Sequence, residues 1–205
     1  MLQFVDAANL VSLTGLGAAV VCALSSSNGQ VRRAIVALVV SGLCDLFDGA
    51  LARRLTRSPD AKRFGEALDL VNDGCAFGIA PAVLLHAVGL RTLLEILLLI
   101  VFVWCAAWRL AYFATVGMAV EQDVRYYYGL PTTFVALFVP LACLAGFLGP
   151  GPLHIAAATT AMVLAVAMVS PLRVRKPAGR VLLVFPVIGA ILILAFSLAP
   201  TFAMP

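Results

Sequence analysis

The chain has 205 residues, 63% of them hydrophobic and only 12% charged, with a mean hydropathy of +1.07. That balance excludes an ordinary soluble globular domain and identifies a polytopic membrane protein. The net charge of +4 is assigned to an anionic membrane leaflet, with no nucleic-acid partner expected.

Apolar runs long enough to span a bilayer, roughly 17 to 25 residues each, fall at 8–25, 34–52, 66–88, 92–118, 131–148, 152–170 and 181–199. The expectation is an all-α integral membrane protein: one polytopic helical bundle of seven transmembrane helices, covering 1–205 as a single membrane domain. The first run lacks a basic leader segment and a small-residue cleavage pattern, so it is read as a retained span. Gly and Pro mark the boundaries: "SSSNGQ" after the first span, "GLP" at Gly129 to Pro131, "GPGP" at Gly149 to Pro152 and "RKPAG" before the last span. No internal repeat appears.

Lys and Arg placement orients the bundle, because cytoplasmic loops carry the positive excess. With the N-terminus inside, Arg53, Arg54, Arg57, Lys62, Arg63, Arg125, Arg173, Arg175, Lys176 and Arg180 are all cytoplasmic. Arg32, Arg33 and Arg91 fall on the far side, and Arg109 lies within the fourth span. Cys22, Cys44, Cys75, Cys105 and Cys143 stand singly in apolar segments and read as small hydrophobes. His86 and His154 are isolated near span ends and are not taken as metal ligands.

Four aspartates contradict the apolar pattern. A carboxylate at the centre of a membrane helix costs on the order of 2.5 to 3.5 kcal/mol even on lenient insertion scales. Asp45, Asp48, Gly49 and Ala52 follow at i, i+3, i+4 and i+7 on the second span, and Gly65, Asp69 and Asp73 at i, i+4 and i+8 on the third. Each set forms one helical stripe. The eleven residues between Arg53 and Gly65 are expected to make a short cytoplasmic turn, so the stripes face each other near the inner surface. Four such charges need neutralising, and an oxygen-only donor set favours Mg²⁺, Mn²⁺ or Ca²⁺ over Zn²⁺. Two divalent ions would cancel the four charges and attract a phosphate-bearing substrate, an arrangement suited to phosphoryl transfer.

The pattern D-x-x-D-G-x-x-A-R, eleven residues, then G-x-x-x-D-x-x-x-D resembles the signature of the CDP-alcohol phosphatidyltransferase family. It is met by Asp45, Asp48, Gly49, Ala52, Arg53, Gly65, Asp69 and Asp73. The resemblance implies a six-helix core, here about 8–170, with the helix at 181–199 as an addition. It also implies a dinuclear Mg²⁺ or Mn²⁺ site, Ca²⁺ being a non-productive occupant, and a homodimer. The implied reaction transfers a phosphatidyl group from CDP-diacylglycerol to an alcohol with release of CMP, in the cytoplasmic membrane of a prokaryote with the site facing the cytoplasm. By the same resemblance Asp45, Asp48, Asp69 and Asp73 surround the metals, and Asp73 is the catalytic base. Gly49, Ala52 and Gly65 border the cytidine nucleotide together with Asp48 and Arg53. "NLVSLT", Asn9 to Thr14, resembles the family's opening helix, whose asparagine lies near the nucleotide.

"FGIAPA" at Phe77 to Ala82, "YGLP" at Tyr128 to Pro131 and "MVS" at Met168 to Ser170 are similar to the bacterial and archaeal phosphatidylserine synthase branch. Where that branch often reads R-L-x-R/K-F-N, this chain has "RLAYFA", with Tyr112 and Ala114 at the replaced positions. Serine is the leading acceptor, with Arg109 pairing its carboxylate and Tyr112 beside it. Choline would use an aromatic cage, for which Trp104, Trp108 and Tyr112 line up at i, i+4 and i+8, though ordinary packing explains the same stripe. Glycerol phosphate or inositol phosphate would call on Lys62, Arg63, Arg125 and the run from Arg173 to Lys176. Two other classes fit less well. An ion or proton transporter would carry its carboxylates at mid-membrane depth, and a prenyltransferase would need a second aspartate-rich motif beyond Asp73.

Overall fold

The computed structural model describes residues 4–121, 124–175 and 183–198. Lys176, Arg180, the outer ends of the last expected span and the side chain of Arg125 lie outside the described residues. Helix α1 (Ala7–Ser27) starts where Asp6 caps the backbone N–H of Asn9, and Gly29 turns the chain into α2 (Val31–Ala52). The two helices approach closely. A Cβ on Gly15 would come within 2.9 Å of the Cys44 Cβ, and Ser41 Oγ donates to the Gly15 carbonyl at 2.8 Å. Small residues thus permit the contact, and a hydroxyl secures it in a setting without water.

The next span differs from expectation at its start. Helix α3 (Pro59–Asp73) begins seven residues before the apolar run, because Ser58 accepts from the Ala61 N–H and Pro59 occupies the first turn, where its missing N–H costs nothing. The connection after α2 therefore runs only from Arg53 to Ser58, and the expected eleven-residue turn is largely helix. A π-helical segment, Gly74–Ile79, follows Asp73 directly and leads into α4 (Ala80–Ala87). Its extra residue per turn shifts the helix face just past the last aspartate.

Helix α5 (Leu93–Val116) opens with a capping box between Thr92 and Glu95. Glu95 Oε1 also lies 2.6 Å from Nε2 of His154, tying the start of α5 to that of α7 (Pro150–Val169) on the far side. Between them lie a 3₁₀ turn (Thr132–Phe134), α6 (Val135–Cys143) and a second 3₁₀ turn (Leu144–Phe147). Helix α8 (Val184–Leu198) packs against α2 and α6. Five spans are long and apolar enough to cross a membrane and two are shorter, matching the seven expected among the described residues. The chain is an integral membrane protein.

Polar connections expected as loops form a small sheet. Strands β1 (Ala119–Glu121), β2 (Val124–Tyr128) and β3 (Arg173–Arg175) pair antiparallel in that order, with Tyr127 opposite Val174. Alternating Val, Tyr and Arg suit a pleated surface, but pairing β2 with β3 requires α6 and α7 to return the chain to the same side.

The core lies between the helices, around Phe77, Phe102, Leu38, Leu84 and Leu153, all fully buried. Outward faces carry Leu94, Trp104, Trp108 and Leu148 toward the bilayer. Gly129 joins the sheet to α6 at φ 71°, and a Cβ there would overlap the Met168 carbonyl. Gly129→Ala is expected to cost about 1 to 3 kcal/mol from strained backbone alone. A lower midpoint of thermal unfolding in detergent checks it.

Candidate active site

Helices α2 and α3 bring the two aspartate stripes onto one cavity of about 1510 Å³. One ligand oxygen from each of Asp45, Asp48 and Asp69 lies within 4.8 Å of the others. Asp73, one turn beyond Asp69, stands beside Asp45, and its Oδ1 is buried without a hydrogen-bond partner. Helical periodicity explains the grouping, since residues three or four apart share a face and the two faces look into one space.

A buried network orients this cluster. Ser12 Oγ donates to Asp48 Oδ2 at 2.5 Å, and Asn72 Nδ2 donates to the Ser12 backbone carbonyl at 3.1 Å. Helix α1 therefore holds a carboxylate of α2 and is held in turn by α3. Neither Ser12 nor Asn72 was assigned a role from sequence. The available signal was position: Ser12 is one turn from Asn9, and Asn72 adjoins Asp73.

Asn9, Gly49, Ala52, Arg53 and Gly65 all line the cavity, as does Arg109. Arg109 is buried on α5, its guanidinium carbon 5.1 Å from the Phe113 ring centroid and 5.7 Å from that of Tyr127, and its Nε has no hydrogen-bond partner. Tyr112 does not join it. The ring of Tyr112 is exposed and meets Tyr128 edge-on at 6.3 Å, outside the cavity lining. At 3.6 residues per turn Phe113 lies about 40° round the helix from Arg109 and Tyr112 about 60° to the other side, and the packing of α5 turns the first into the cavity and the second out. Trp104 and Trp108 are 67% and 73% exposed and face outward, so they form no cage around the site.

A family profile for CDP-alcohol phosphatidyltransferases matches residues 5–173. The chain belongs to the CDP-alcohol phosphatidyltransferase family. It is 34% identical over 111 residues to the CDP-diacylglycerol–serine O-phosphatidyltransferase of Saccharomyces cerevisiae, covering 51% of this chain and 39% of that protein. It is 29% identical over 147 residues to the archaetidylserine synthase of Methanothermobacter thermautotrophicus, covering 71% of this chain and 60% of that one. A CDP-diacylglycerol–serine O-phosphatidyltransferase of Methanocaldococcus jannaschii is 33% identical over 106 residues, 52% of this chain and 48% of its own. The matches thus span less than two thirds of each relative.

The cluster suits a divalent cation on its own chemistry. The donors are all carboxylate oxygens, three converge within 4.8 Å, and the buried Oδ1 of the fourth is unmatched by any protein donor. Hard oxygen-binding cations prefer such a set. The bond from Ser12 then orients a ligand, a role whose loss typically costs 10- to 100-fold in metal affinity. Ser12→Ala is expected to weaken Mn²⁺ binding by roughly tenfold or more, with Ser12→Thr close to wild type, as read by electron paramagnetic resonance of free Mn²⁺.

Proposed function

We propose that the protein transfers a phosphatidyl group from CDP-diacylglycerol to the hydroxyl of L-serine, yielding phosphatidylserine and CMP. The observation that carries this reading is one cavity lined both by the four carboxylates and Arg109 and by apolar residues of α2, α6 and α8. Asp45, Asp48, Asp69 and Asp73 would hold two divalent ions, Mg²⁺ or Mn²⁺. When bound, these ions neutralise the carboxylates and polarise the phosphate oxygens of the donor.

The chain's own groups supply the rest. Asp73 Oδ1, buried and unengaged, accepts the proton of the serine hydroxyl as its oxygen bonds to the phosphorus of the phosphatidyl group. The bond from that phosphorus to the CMP oxygen breaks, and CMP leaves with the electron pair. Arg109 orients serine through its carboxylate, with Phe113 and Tyr127 fixing the guanidinium plane. Leu43, Leu137, Phe185 and Leu192 offer an apolar wall for the donor's hydrocarbon chains. Residues 8–170 form the catalytic core on this reading, and α8 completes the lipid side of the cavity.

Serine stands in the names of all three relatives, two CDP-diacylglycerol–serine O-phosphatidyltransferases and an archaetidylserine synthase, and this supports serine as acceptor. The outward tryptophans remove part of the aromatic cage considered for choline, while Tyr127 does line the cavity. The basic residues around the connection after α2 and around β3 favour a cytoplasmic site in a prokaryotic inner membrane. A homodimer is carried over from the family resemblance alone.

An acceptor panel tests the reading directly: purified protein with CDP-diacylglycerol and Mn²⁺ is offered serine, choline, inositol phosphate or glycerol phosphate, and products are identified by mass. Phosphatidylserine is expected, and a product formed only from another alcohol would replace serine. Asp73→Asn is expected to slow CMP release by roughly 10² to 10⁴. Asp69→Asn should slow it too, and unchanged rates in both variants would refute the mechanism. Arg109→Ala is expected to raise the KM for serine by roughly thirtyfold, corresponding to about 2 kcal/mol for a charge-assisted hydrogen bond. The KM for the donor should stay near wild type.

A further inference from the structure

The connection between α2 and α3 places a second guanidinium inside the cavity, one that belongs to no position of the aspartate signature. Arg57 lines the cavity, and its side chain is only 12% exposed. Its Nη2 donates to Asp6 Oδ1 at 2.7 Å and reaches Asn9 Oδ1 at 3.5 Å. Gly65 makes this position available: a Cβ on Gly65 would lie 2.9 Å from Arg57 Nη1 and 3.2 Å from Asn9 Oδ1. The guanidinium therefore sits between Asn9 and Gly65, two residues whose family counterparts border the nucleotide.

A strap of residues before α1 fixes the arrangement. Asp6 Oδ1 accepts both from the Asn9 backbone N–H at 2.9 Å and from Arg57. Asn9 Nδ2 donates to the Phe4 carbonyl at 2.8 Å, and the Phe4 ring stacks on Phe64 with centroids 4.9 Å apart. One Asn9 Nδ2 hydrogen is thereby taken by the Phe4 carbonyl and its Oδ1 faces Arg57, which puts the guanidinium among the hydrogen-bond donors of this wall. Arg57 Nε is buried with no partner. A guanidinium offers five N–H donors in a rigid fork matched to phosphate or carbonyl oxygens. Arg57 lines the cavity while one of its buried N–H groups stays unmatched, which the bond to Asp6 alone does not account for.

We propose that Arg57 is a donor-binding residue, giving hydrogen bonds to oxygen acceptors of the cytidine nucleotide, and that Asp6 positions it. The inference rests on the proposed CDP-linked donor. It separates the two arginines by element: Arg57 serves the nucleotide from the wall of α1 and α3, and Arg109 serves the acceptor from α5.

Calorimetric titration of CMP into the full chain in detergent with Mg²⁺ tests it, alongside the KM values for CDP-diacylglycerol and serine. Arg57→Ala is expected to weaken CMP binding at least tenfold and to raise the KM for CDP-diacylglycerol in parallel, with the KM for serine unchanged. Arg57→Lys should fall between, keeping the charge but losing the fork. Asp6→Asn breaks the ion pair yet keeps the helix cap and Arg57, so it should weaken CMP binding only two- to threefold. Equal losses in Asp6→Asn and Arg57→Ala would show the ion pair to be merely structural and overturn the inference. Wild-type CMP affinity in Arg57→Lys and Arg57→Ala would overturn it as well. Wild-type protein that binds no CMP would overturn the donor reading itself, and this inference with it.

Discussion

Four carboxylates held within apolar helices impose the constraint on which the rest of the structure depends. Asp45, Asp48, Asp69 and Asp73 lie too close together to remain charged and unpartnered at low dielectric, so the surrounding elements are arranged to orient them toward a common space. Ser12 bonds one of them from α1, Asn72 fastens Ser12 from α3, and Ser41 locks α1 to α2. Each bond is made in a setting where water cannot substitute, so each also fixes the relative position of two helices. Packing of the first three helices and preparation of the site are one event.

The cavity above this cluster is chemically mixed. Its lining combines the carboxylates, Arg53, Arg57 and Arg109 with apolar residues of α2, α6 and α8. A donor with a charged nucleotide and two hydrocarbon chains matches that lining, which offers both kinds of surface. The last helix lies beyond the region matched by the family profile, yet Phe185 and Leu192 contribute to the apolar wall.

Two arginines of the cavity, Arg109 and Arg57, are held in different ways. The Arg109 guanidinium carbon lies over the Phe113 and Tyr127 rings, and its Nε has no hydrogen-bond partner. Arg57 is held end-on by Asp6 in the space left by the missing side chain of Gly65. Surface ion pairs contribute little by themselves, but this one is largely buried and so is screened less by solvent.

Membrane class, the number of spans and the two aspartate stripes follow from the sequence alone, because hydropathy and helical period are properties of a single continuous segment. The grouping of Asp45, Asp48, Asp69 and Asp73 was legible for the same reason. Tertiary structure decided what depends on elements distant in the chain meeting one another. It turned Tyr112 outward and placed Phe113 and Tyr127 around Arg109, since helix rotation is set by packing and β2 reaches the site only when paired with β3. It began α3 at Pro59, where a cap and a proline outweighed polar composition. It put Arg57 against Asp6, 51 positions away, a contact that no periodicity encodes.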